Sequence, residues 1–349
     1  MNLIELTRAL IDIPSKSGEE GQVAHFLFSY LDSLGYSVER QEVAAGRFNI
    51  IAASGARPRV TLSTHLDTVP PHIASSEDER YVYGRGACDA KGIIAAQVMA
   101  AEAVRAEGID AVGLLFTVDE EMGSLGARAA NKHPQRMSSR FLVNGEPTDN
   151  KLAVGSKGSL RLVIRTAGRA AHSAYPEHGE SAIEKLLDVL ASLRACRWPA
   201  DEFFGETTCN IGRVQGGTRP NVIPADAHAE VQIRLVTDAA PVKEAIERAV
   251  AGRAEIEYLS VADPVRMIAV EGFEQCIVRF TTDIPHLRDW GAPVLIGPGS
   301  ILLAHTAEER IAKRELEEAV SIYAGLVRSL LARGEADERD EELLEEARG

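Results

Sequence analysis

The stretch TLSTHLDTVP, residues 61–70, carries the strongest indication of both fold and chemistry in this chain. Its first half predicts a β-strand over 59–65 that ends at His65. Side chains two apart on a strand point the same way, so His65 and Asp67 project together. A metal-binding histidine usually donates its other ring nitrogen to a carboxylate or carbonyl. The pair therefore fits a metal ligand with its orienting group, although a buried His–Asp hydrogen bond without any metal is the commoner meaning of such a pair.

The segments around this stretch alternate between helix and strand. Helices are predicted at 2–12, 19–34, 91–107 and 123–132, and strands at 36–43, 47–53, 59–65, 112–118 and 140–144. This alternation predicts an α/β fold, with a mainly parallel sheet and helices on both faces. In such sheets, ligands bind outside the carboxyl ends of the strands.

From about residue 158 the pattern changes to that of a second, smaller domain. Strands at 158–166, 207–215, 225–236 and 254–261 and helices at 179–195 and 240–251 follow in the order βαββαβ, the ferredoxin-like split motif. Residues 270–333 are expected to return to helix, a strand at Val294–Ile296, a glycine turn and a final helix. We therefore expect a discontinuous main domain (1–157 and 266–334), an inserted domain (158–265) and an acidic tail (335–349).

Composition limits the class of protein. The length of 349 residues favours two structural units, and 45% hydrophobic with 26% charged residues is typical of a globular protein. A net charge of −14 argues against nucleic acid and anionic membranes as partners. Four cysteines without paired spacing suggest reduced thiols. The first helix is amphipathic rather than a signal peptide, and no apolar run approaches a membrane span, so a cytoplasmic location is expected.

Further acidic residues and a second histidine follow the predicted strands or begin helices. Asp89 lies in GRGACDAKG (84–92), Glu120 and Glu121 in LLFTVDEEMGS (114–124), Glu146 in FLVNGEPT (141–148), and His305 in VLIGPGSILLAHTAEE (294–309). Each alone fits a turn, a helix cap or a solvated loop. Together, uncompensated carboxylates would repel one another, and two histidines with carboxylates suit zinc or a similar metal.

The segment after the last strand carries a helix-start signal. Thr306 and Glu309 form an S/T-x-x-E pattern, which is typical of a capping box. We therefore expect a helix to begin there, with His305 immediately before it.

The order of these motifs resembles a known family. HxD, GRGxxDxKG, an acidic pair after a strand, NGEPT, an inserted domain and GPGS…AHT together look like the co-catalytic dizinc metallopeptidases. That group includes acetylornithine deacetylase, succinyl-diaminopimelate desuccinylase, aminoacylase and glutamate carboxypeptidase. The resemblance extends from the first helix to about residue 333, so only the acidic tail falls outside it.

The resemblance implies two divalent metal ions, with zinc favoured and cobalt as the alternative. Their ligands would be five residues: His65, Asp89, Glu121, Glu146 and His305. Asp89 would bridge the two ions, with His65 and Glu146 completing one site and Glu121 and His305 the other. A cis peptide bond between Asp89 and Ala90 is also implied.

The resemblance assigns catalytic and substrate-binding roles as well. Glu120 would be the general base, Asp67 would orient or tune His65, and His172 would reach the substrate carbonyl from the inserted domain. Three further positions match substrate-binding residues: Asn221, Arg234 and Gly299.

The expected activity is hydrolysis of the amide bond of an N-acyl amino acid, with N-acetylornithine as the leading substrate. Ser300 departs from the aspartate that many acetylornithine deacetylases carry after GPG. The alternatives are desuccinylation of N-succinyl-diaminopimelate and cleavage of a short peptide by a carboxypeptidase or dipeptidase. A non-catalytic, metal-dependent binding or scaffold protein is the alternative from another class, but such a protein would have no reason to keep Glu120. A homodimer through the inserted domain is expected.

Overall fold

A computed structural model describes residues 1–134, 136 and 139–333, so the acidic tail predicted at 335–349 lies outside the described residues. The chain divides into two compact units. Among the described residues, the first comprises those within 1–154, 266–276 and 282–333, and the second comprises 155–265 and 277–281. Each unit has its own hydrophobic core.

The described residues form seven α-helices and twenty strands, several of them only two residues long. The helices are α1 (Leu3–Asp12), α2 (Gly21–Ser33), α3 (Lys91–Ala106), α4 (Leu125–Ala130), α5 (Ala182–Arg194), α6 (Ala239–Val250) and α7 (Lys313–Ala332). The strands are β1 (Ser37–Ala44), β2 (Arg47–Ala53), β3 (Val60–His65), β4 (Ser76–Glu77), β5 (Tyr81–Tyr83), β6 (Val112–Thr117), β7 (Phe141–Asn144), β8 (Leu152–Ser156), β9 (Gly158–Ala167), β10 (Ala171–His172), β11 (Ala200–Asp201), β12 (Gly205–Glu206), β13 (Thr208–Gly216), β14 (Val222–Ile223), β15 (Asp226–Leu235), β16 (Glu255–Ala262), β17 (Val265–Arg266), β18 (Gln275–Val278), β19 (Ala292–Leu295) and β20 (Arg310–Ala312).

The first unit is built on a mixed sheet whose centre is parallel. In the order β1-β2-β6-β3-β7-β19-β8, the four strands from β6 to β19 run parallel to one another. The flanking pairs β1–β2, β2–β6 and β19–β8 are antiparallel. The predicted α/β fold with a parallel central sheet is confirmed, and the antiparallel flanks add to it.

Both faces of this sheet are buried. Successive strand residues point to opposite faces, and Leu114 belongs to the larger core while Leu115 belongs to a separate small one. The larger core contains residues of α1, α2, α3 and α7, and the smaller one contains Ala127 of α4 and Trp290. Because neither face meets water, all six residues of β3 and all six of β6 are buried.

The second unit has the predicted ferredoxin-like arrangement. Its four long strands pair in the order β13-β15-β9-β16, and every pair is antiparallel. In chain order this is 2-3-1-4, the order that the split βαββαβ motif produces. Burial alternates along β15, and the buried side chains pack with apolar residues of α5 and α6.

Two expectations about the end of the chain are wrong. Residues after 270 do not return to an α-helix but form β18 and two short 3₁₀-helices, Ile284–His286 and Arg288–Trp290. The S/T-x-x-E pattern at Thr306 and Glu309 does not begin a helix either, because β20 follows it and α7 begins only at Lys313. The carboxylate of Glu309 is buried against other backbone N–H groups, so it is not available to cap a helix.

Among the described residues, no helix is both long enough and apolar enough to cross a membrane.

Candidate metal centre

The parallel strands bring the predicted ligands to one edge of the sheet. His65 is the last residue of β3, Glu121 follows the end of β6, and Glu146 follows the end of β7. These three strands are neighbours and run the same way, so their carboxyl ends meet. His305 arrives on the chain that leaves β19, the next parallel strand.

Asp89 lies between the two histidines. One carboxylate oxygen, Oδ1, is 3.0 Å from His65 Nε2, and the other, Oδ2, is 3.2 Å from His305 Nε2. The same His305 nitrogen is 2.9 Å from Glu121 Oε1, and Glu146 Oε2 is 4.0 Å from His65 Nε2. The structure thus brings all five predicted ligands together, with the Asp89 carboxylate between the two histidines. The peptide bond between Asp89 and Ala90 is cis.

Three of these five side chains are carboxylates that lie close together around two imidazoles. Burial raises the pKa of Glu146 well above its usual range, and repulsion from Asp89 adds to the effect. Burial likewise raises the pKa of Glu120, and repulsion from Glu146 raises it further. Within the part of the chain that the structure describes, Glu146 Oε1 is buried with no hydrogen-bond partner. Two imidazoles and three carboxylates, one of which has this unpaired oxygen, form a donor set that fits divalent ions of the zinc type.

Comparison with known proteins identifies the family of this chain. The sequence profile of the peptidase dimerisation domain matches residues 154–258, and that of peptidase family M28 matches 49–192. A peptidase M20 domain-containing protein of Schizosaccharomyces pombe is 36% identical, and the match covers 93% of this chain and 84% of that protein. A probable carboxypeptidase of Aspergillus clavatus is 37% identical, with 96% and 84% covered. The chain belongs to the M20 peptidase family.

The fold of this M20 peptidase is shared with solved structures. An M20 family metallo-carboxypeptidase from Sulfolobus solfataricus has a TM-score of 0.79 at 17% identity, with 95% of this chain and 99% of that one covered. The family resemblance inferred from the motifs is therefore confirmed. So is the enzyme class, a hydrolase that acts on C–N bonds.

In this M20 peptidase, Asp67 contacts the His65 ring through its backbone carbonyl rather than through its carboxylate. His65 Nδ1 donates to the backbone carbonyl of Asp67 at 2.9 Å, which leaves Nε2 for a metal, and the Asp67 carboxylate is farther away at 3.6 Å. That carboxylate instead accepts the backbone N–H groups of Glu120 (3.0 Å) and Glu121 (3.2 Å). It also accepts the hydroxyl of Ser17 at 2.7 Å. Asp67 therefore fixes both the His65 ring and the loop that carries Glu120.

A buried ion-pair network supports the other side of the same loop, and sequence reasoning missed it. The Arg47 guanidinium lies 2.6 Å from Asp119 and 2.6 Å from Glu20, whose side chain is fully buried. The Asp119 backbone has a φ of 71° and its carbonyl accepts the N–H of Ser124 at 2.7 Å. These contacts fold the loop back sharply after β6. No local pattern marks Arg47 as the partner of Asp119, which lies 72 positions later in the chain.

Asp283 is a second acidic group that sequence reasoning missed. It is almost fully buried, and its Oδ2 accepts the Thr117 hydroxyl at 2.7 Å at the end of β6. Burial raises the pKa of Asp283 to about 6. Its charge adds to the repulsion at Glu120 and Glu146, so it belongs to the surroundings of the candidate metal centre. Its segment, TTDIPH, resembles an ordinary turn, and nothing in that pattern signals the site.

Gly299 is glycine for a packing reason. Its φ is +86°, and a Cβ atom there would lie 2.6 Å from the Cβ of Cys88. The glycine turn after β19 therefore packs directly against the turn that carries Asp89. Substrate contact by Gly299 stays a prediction.

The other three predicted residues lie in the second unit. His172 and Asn221 are neighbours, because β10 pairs with β14 and the Asn221 carbonyl accepts the N–H of Ser173 at 3.0 Å. Nδ1 of the exposed His172 accepts the Ala174 N–H at 3.1 Å, which places the ring proton on Nε2. Arg234 is partly buried on β15, which lowers its pKa, and its guanidinium has no hydrogen bond or ion pair within the described residues.

Proposed function

We propose that this M20 peptidase is a dimetal amidohydrolase that cleaves the amide bond on the amino side of a residue with a free carboxylate. The C-terminal residue of a short peptide is the first candidate for that residue. The observation that supports this most directly is the Asp89 carboxylate, which has one oxygen 3.0 Å from His65 and the other 3.2 Å from His305. That is the arrangement expected of a ligand shared by two cations.

The proposed ligands divide into two sets that share Asp89. His65 and Glu146 would hold one ion, and Glu121 and His305 the other, with zinc favoured by the donor set and cobalt as the alternative. When bound, such ions would polarise a carbonyl oxygen and lower the pKa of water toward about 7.

Glu120 is the proposed general base. Its backbone N–H is held by the Asp67 carboxylate at 3.0 Å, and its side chain has no hydrogen bond within the described residues. A carboxylate oxygen of Glu120 would accept a proton from the attacking water. The same oxygen would then return that proton to the nitrogen of the leaving amine. A glutamate suits this task because neighbouring cations keep it ionised at neutral pH.

Three residues of the second unit are proposed to bind the substrate. His172 carries its proton on Nε2, so it can donate to a carbonyl oxygen. The planar fork of Arg234, which has no partner within the described residues, suits a carboxylate. Asn221 lies beside His172 and offers an amide for the same purpose.

Two substrate classes fit this chemistry. The names of the relatives favour a peptide, since the Aspergillus protein at 37% identity is called a probable carboxypeptidase. An N-acyl amino acid has the same scissile amide next to a free carboxylate. N-acetylornithine and N-succinyl-diaminopimelate therefore stay as the second candidate class. We also propose a homodimer through the second unit, which the match to the peptidase dimerisation domain supports, and a cytoplasmic location.

A substrate panel tests the proposal. Metal-depleted protein is assayed with and without added zinc or cobalt on dipeptides, the same dipeptides with an amidated C-terminus, N-acetylornithine and N-succinyl-diaminopimelate. We expect hydrolysis of free-carboxylate substrates only after metal is added, and a strong chelator should abolish it. Hydrolysis that is indifferent to chelation would overturn the dimetal proposal. Zinc binding without hydrolysis of any substrate would favour the non-catalytic alternative.

A further inference from the structure

We propose that Glu309 is a positioning residue that sets the geometry of the ion held by Glu121 and His305. Two segments are involved: the Asp89 turn, residues 84–89, and the His305 segment, residues 297–309. The inference rests on the dimetal site proposed above and adds to it a buried carboxylate that is not itself a ligand.

The Glu309 side chain is fully buried and binds the Asp89 turn through four hydrogen bonds. Its Oε1 accepts the backbone N–H groups of Gly86 (2.9 Å), Cys88 (3.2 Å) and Asp89 (3.2 Å). Its Oε2 accepts from the Arg85 guanidinium at 2.6 Å. Removing a carboxylate from water is costly, and this set of donors compensates for that cost.

The contact ties together two parts of the chain that both carry ligands. Glu309 lies 220 residues after Asp89 but only four after His305. Two further contacts join the same segments: the Gly84 N–H donates to the Glu309 carbonyl at 3.1 Å, and Gly299 packs against Cys88. The Asp89 turn is therefore held against the His305 segment at several points, and the Glu309 carboxylate makes the ion pair with Arg85 among them.

The position of Glu309 predicts which ion depends on it. His65 and Glu146 lie on or directly after β3 and β7, inside the sheet, and the His65 ring is fixed by the Asp67 carbonyl. Within the described residues the His305 ring has no corresponding hydrogen bond at Nδ1, its side chain is 48% exposed and its φ is 64°. If the Asp89 turn shifts, the position of Asp89 relative to His305 should change more than its position relative to His65 and Glu146, which are held by the strands. Loss of Glu309 should therefore lower the affinity for the ion at Glu121 and His305 and leave the affinity for the other ion unchanged.

A glutamine at this position tests the charge with little change in shape. Its single oxygen can still accept N–H groups, but its NH₂ group would meet the Arg85 guanidinium, donor against donor. Glu308 is the matched control, because it is the neighbouring glutamate and is exposed.

The experiment is a calorimetric titration of metal-free protein with zinc, repeated with cobalt and followed by absorption. For Glu309→Gln we expect the second zinc to bind about 10- to 100-fold more weakly, as for other groups that orient metal ligands. The first zinc should bind as in wild type, and the cobalt absorption that accompanies the second equivalent should require more metal. Glu308→Gln should match wild type. Arg85→Lys, a milder change to the same contact, should show the same selectivity with a smaller shift.

The outcomes separate this inference from the proposed function. If wild type binds two ions and Glu309→Gln binds both equally well, the positioning role is overturned and the dimetal site stands. An equal loss of affinity for both ions would also overturn it, because that result indicates that the whole site has become less rigid. If Glu309→Gln does not fold, Arg85→Lys decides by the same criteria. If wild type binds fewer than two ions, the proposed function and this inference both fail.

Discussion

Asp67 performs two tasks with two different groups. Its carbonyl accepts a hydrogen bond from His65, and its carboxylate accepts the N–H groups of Glu120 and Glu121. The spacing of the H-x-D pattern predicts that the two side chains lie together, because it follows from strand geometry. Which group of Asp67 would contact the ring could not be predicted, since that depends on a loop some fifty residues later. For the same reason the sequence did not reveal Glu309, whose donors lie more than 200 residues away.

Replacement of Glu120 separates catalysis from metal binding. In Glu120→Gln the ligand set is intact, so zinc content should stay near wild type, while turnover should fall about 10²- to 10⁴-fold because no group accepts the proton. Metal analysis and steady-state kinetics on one preparation measure both. Glu79→Gln, an exposed glutamate in the first unit, is the control. Wild-type turnover in Glu120→Gln would remove Glu120 as the base.

Arg234 is predicted to recognise the substrate carboxylate. Arg234→Ala should raise KM for a free-carboxylate dipeptide about 10- to 100-fold, the size expected for a lost hydrogen bond to a charged group, with a smaller effect on kcat. The amidated dipeptide should show little change. Arg161→Ala, an exposed arginine on the adjacent strand β9, should behave like wild type. An unchanged KM for both peptides would make Arg234 structural.

At the scale of elements, local pattern and tertiary contact disagree at one instructive place. Thr306 and Glu309 have the spacing of a capping box, yet no helix begins there. A capping box stabilises a helix start by about 1 kcal/mol. Four hydrogen bonds to a buried carboxylate, one of them from Arg85, outweigh that. Long helices such as α3, and the buried strands, were predictable because their periodicity is local. The conformation of the segment around Thr306 and Glu309 was not predictable, because it depends on contacts with residues far away in the sequence.

Gly325 lies inside helix α7, where a glycine lowers the stability of the helix. A Cβ atom there would meet nothing within 4 Å, so Gly325→Ala should stabilise the first unit by about 0.5–1 kcal/mol. The shift of the thermal midpoint measures this. Gly299→Ala is the opposing control, and it should destabilise, because that residue has a φ of +86° and packs against Cys88. A lower midpoint for Gly325→Ala would contradict the prediction.

At the scale of the whole molecule, the two units were predictable from the change in strand and helix rhythm near residue 158. The sheet order was only partly so, because antiparallel flanks such as β1–β2 depend on which strands pair across the chain. Residues 277–281 were predicted to belong to the main domain, but the structure groups them with the second unit. A segment of five residues carries no pattern that assigns it to one core rather than another.

Separate cores predict that metal binding protects one unit selectively. At zinc concentrations about 100-fold above the dissociation constant, the slowest amides of β3 and β6 should gain about 2.7 kcal/mol of protection against hydrogen exchange. Those of β9 and β15 should not change, because their core lies in the second unit. Exchange followed by mass spectrometry measures both. His65→Ala should abolish the gain. Equal protection in both units would show that they unfold as one.

The place of β19 in the sheet has a consequence for biosynthesis. This strand lies between β7 and β8, although it follows both by well over a hundred residues. A nascent polypeptide that ends before residue 292 therefore has a gap in its sheet, with unpaired edges on either side, and it lacks His305. Such edges invite aggregation on the ribosome, and a truncated product cannot assemble the complete set of proposed ligands. The proposed ligand set can therefore come together only after the chain has been synthesised beyond His305.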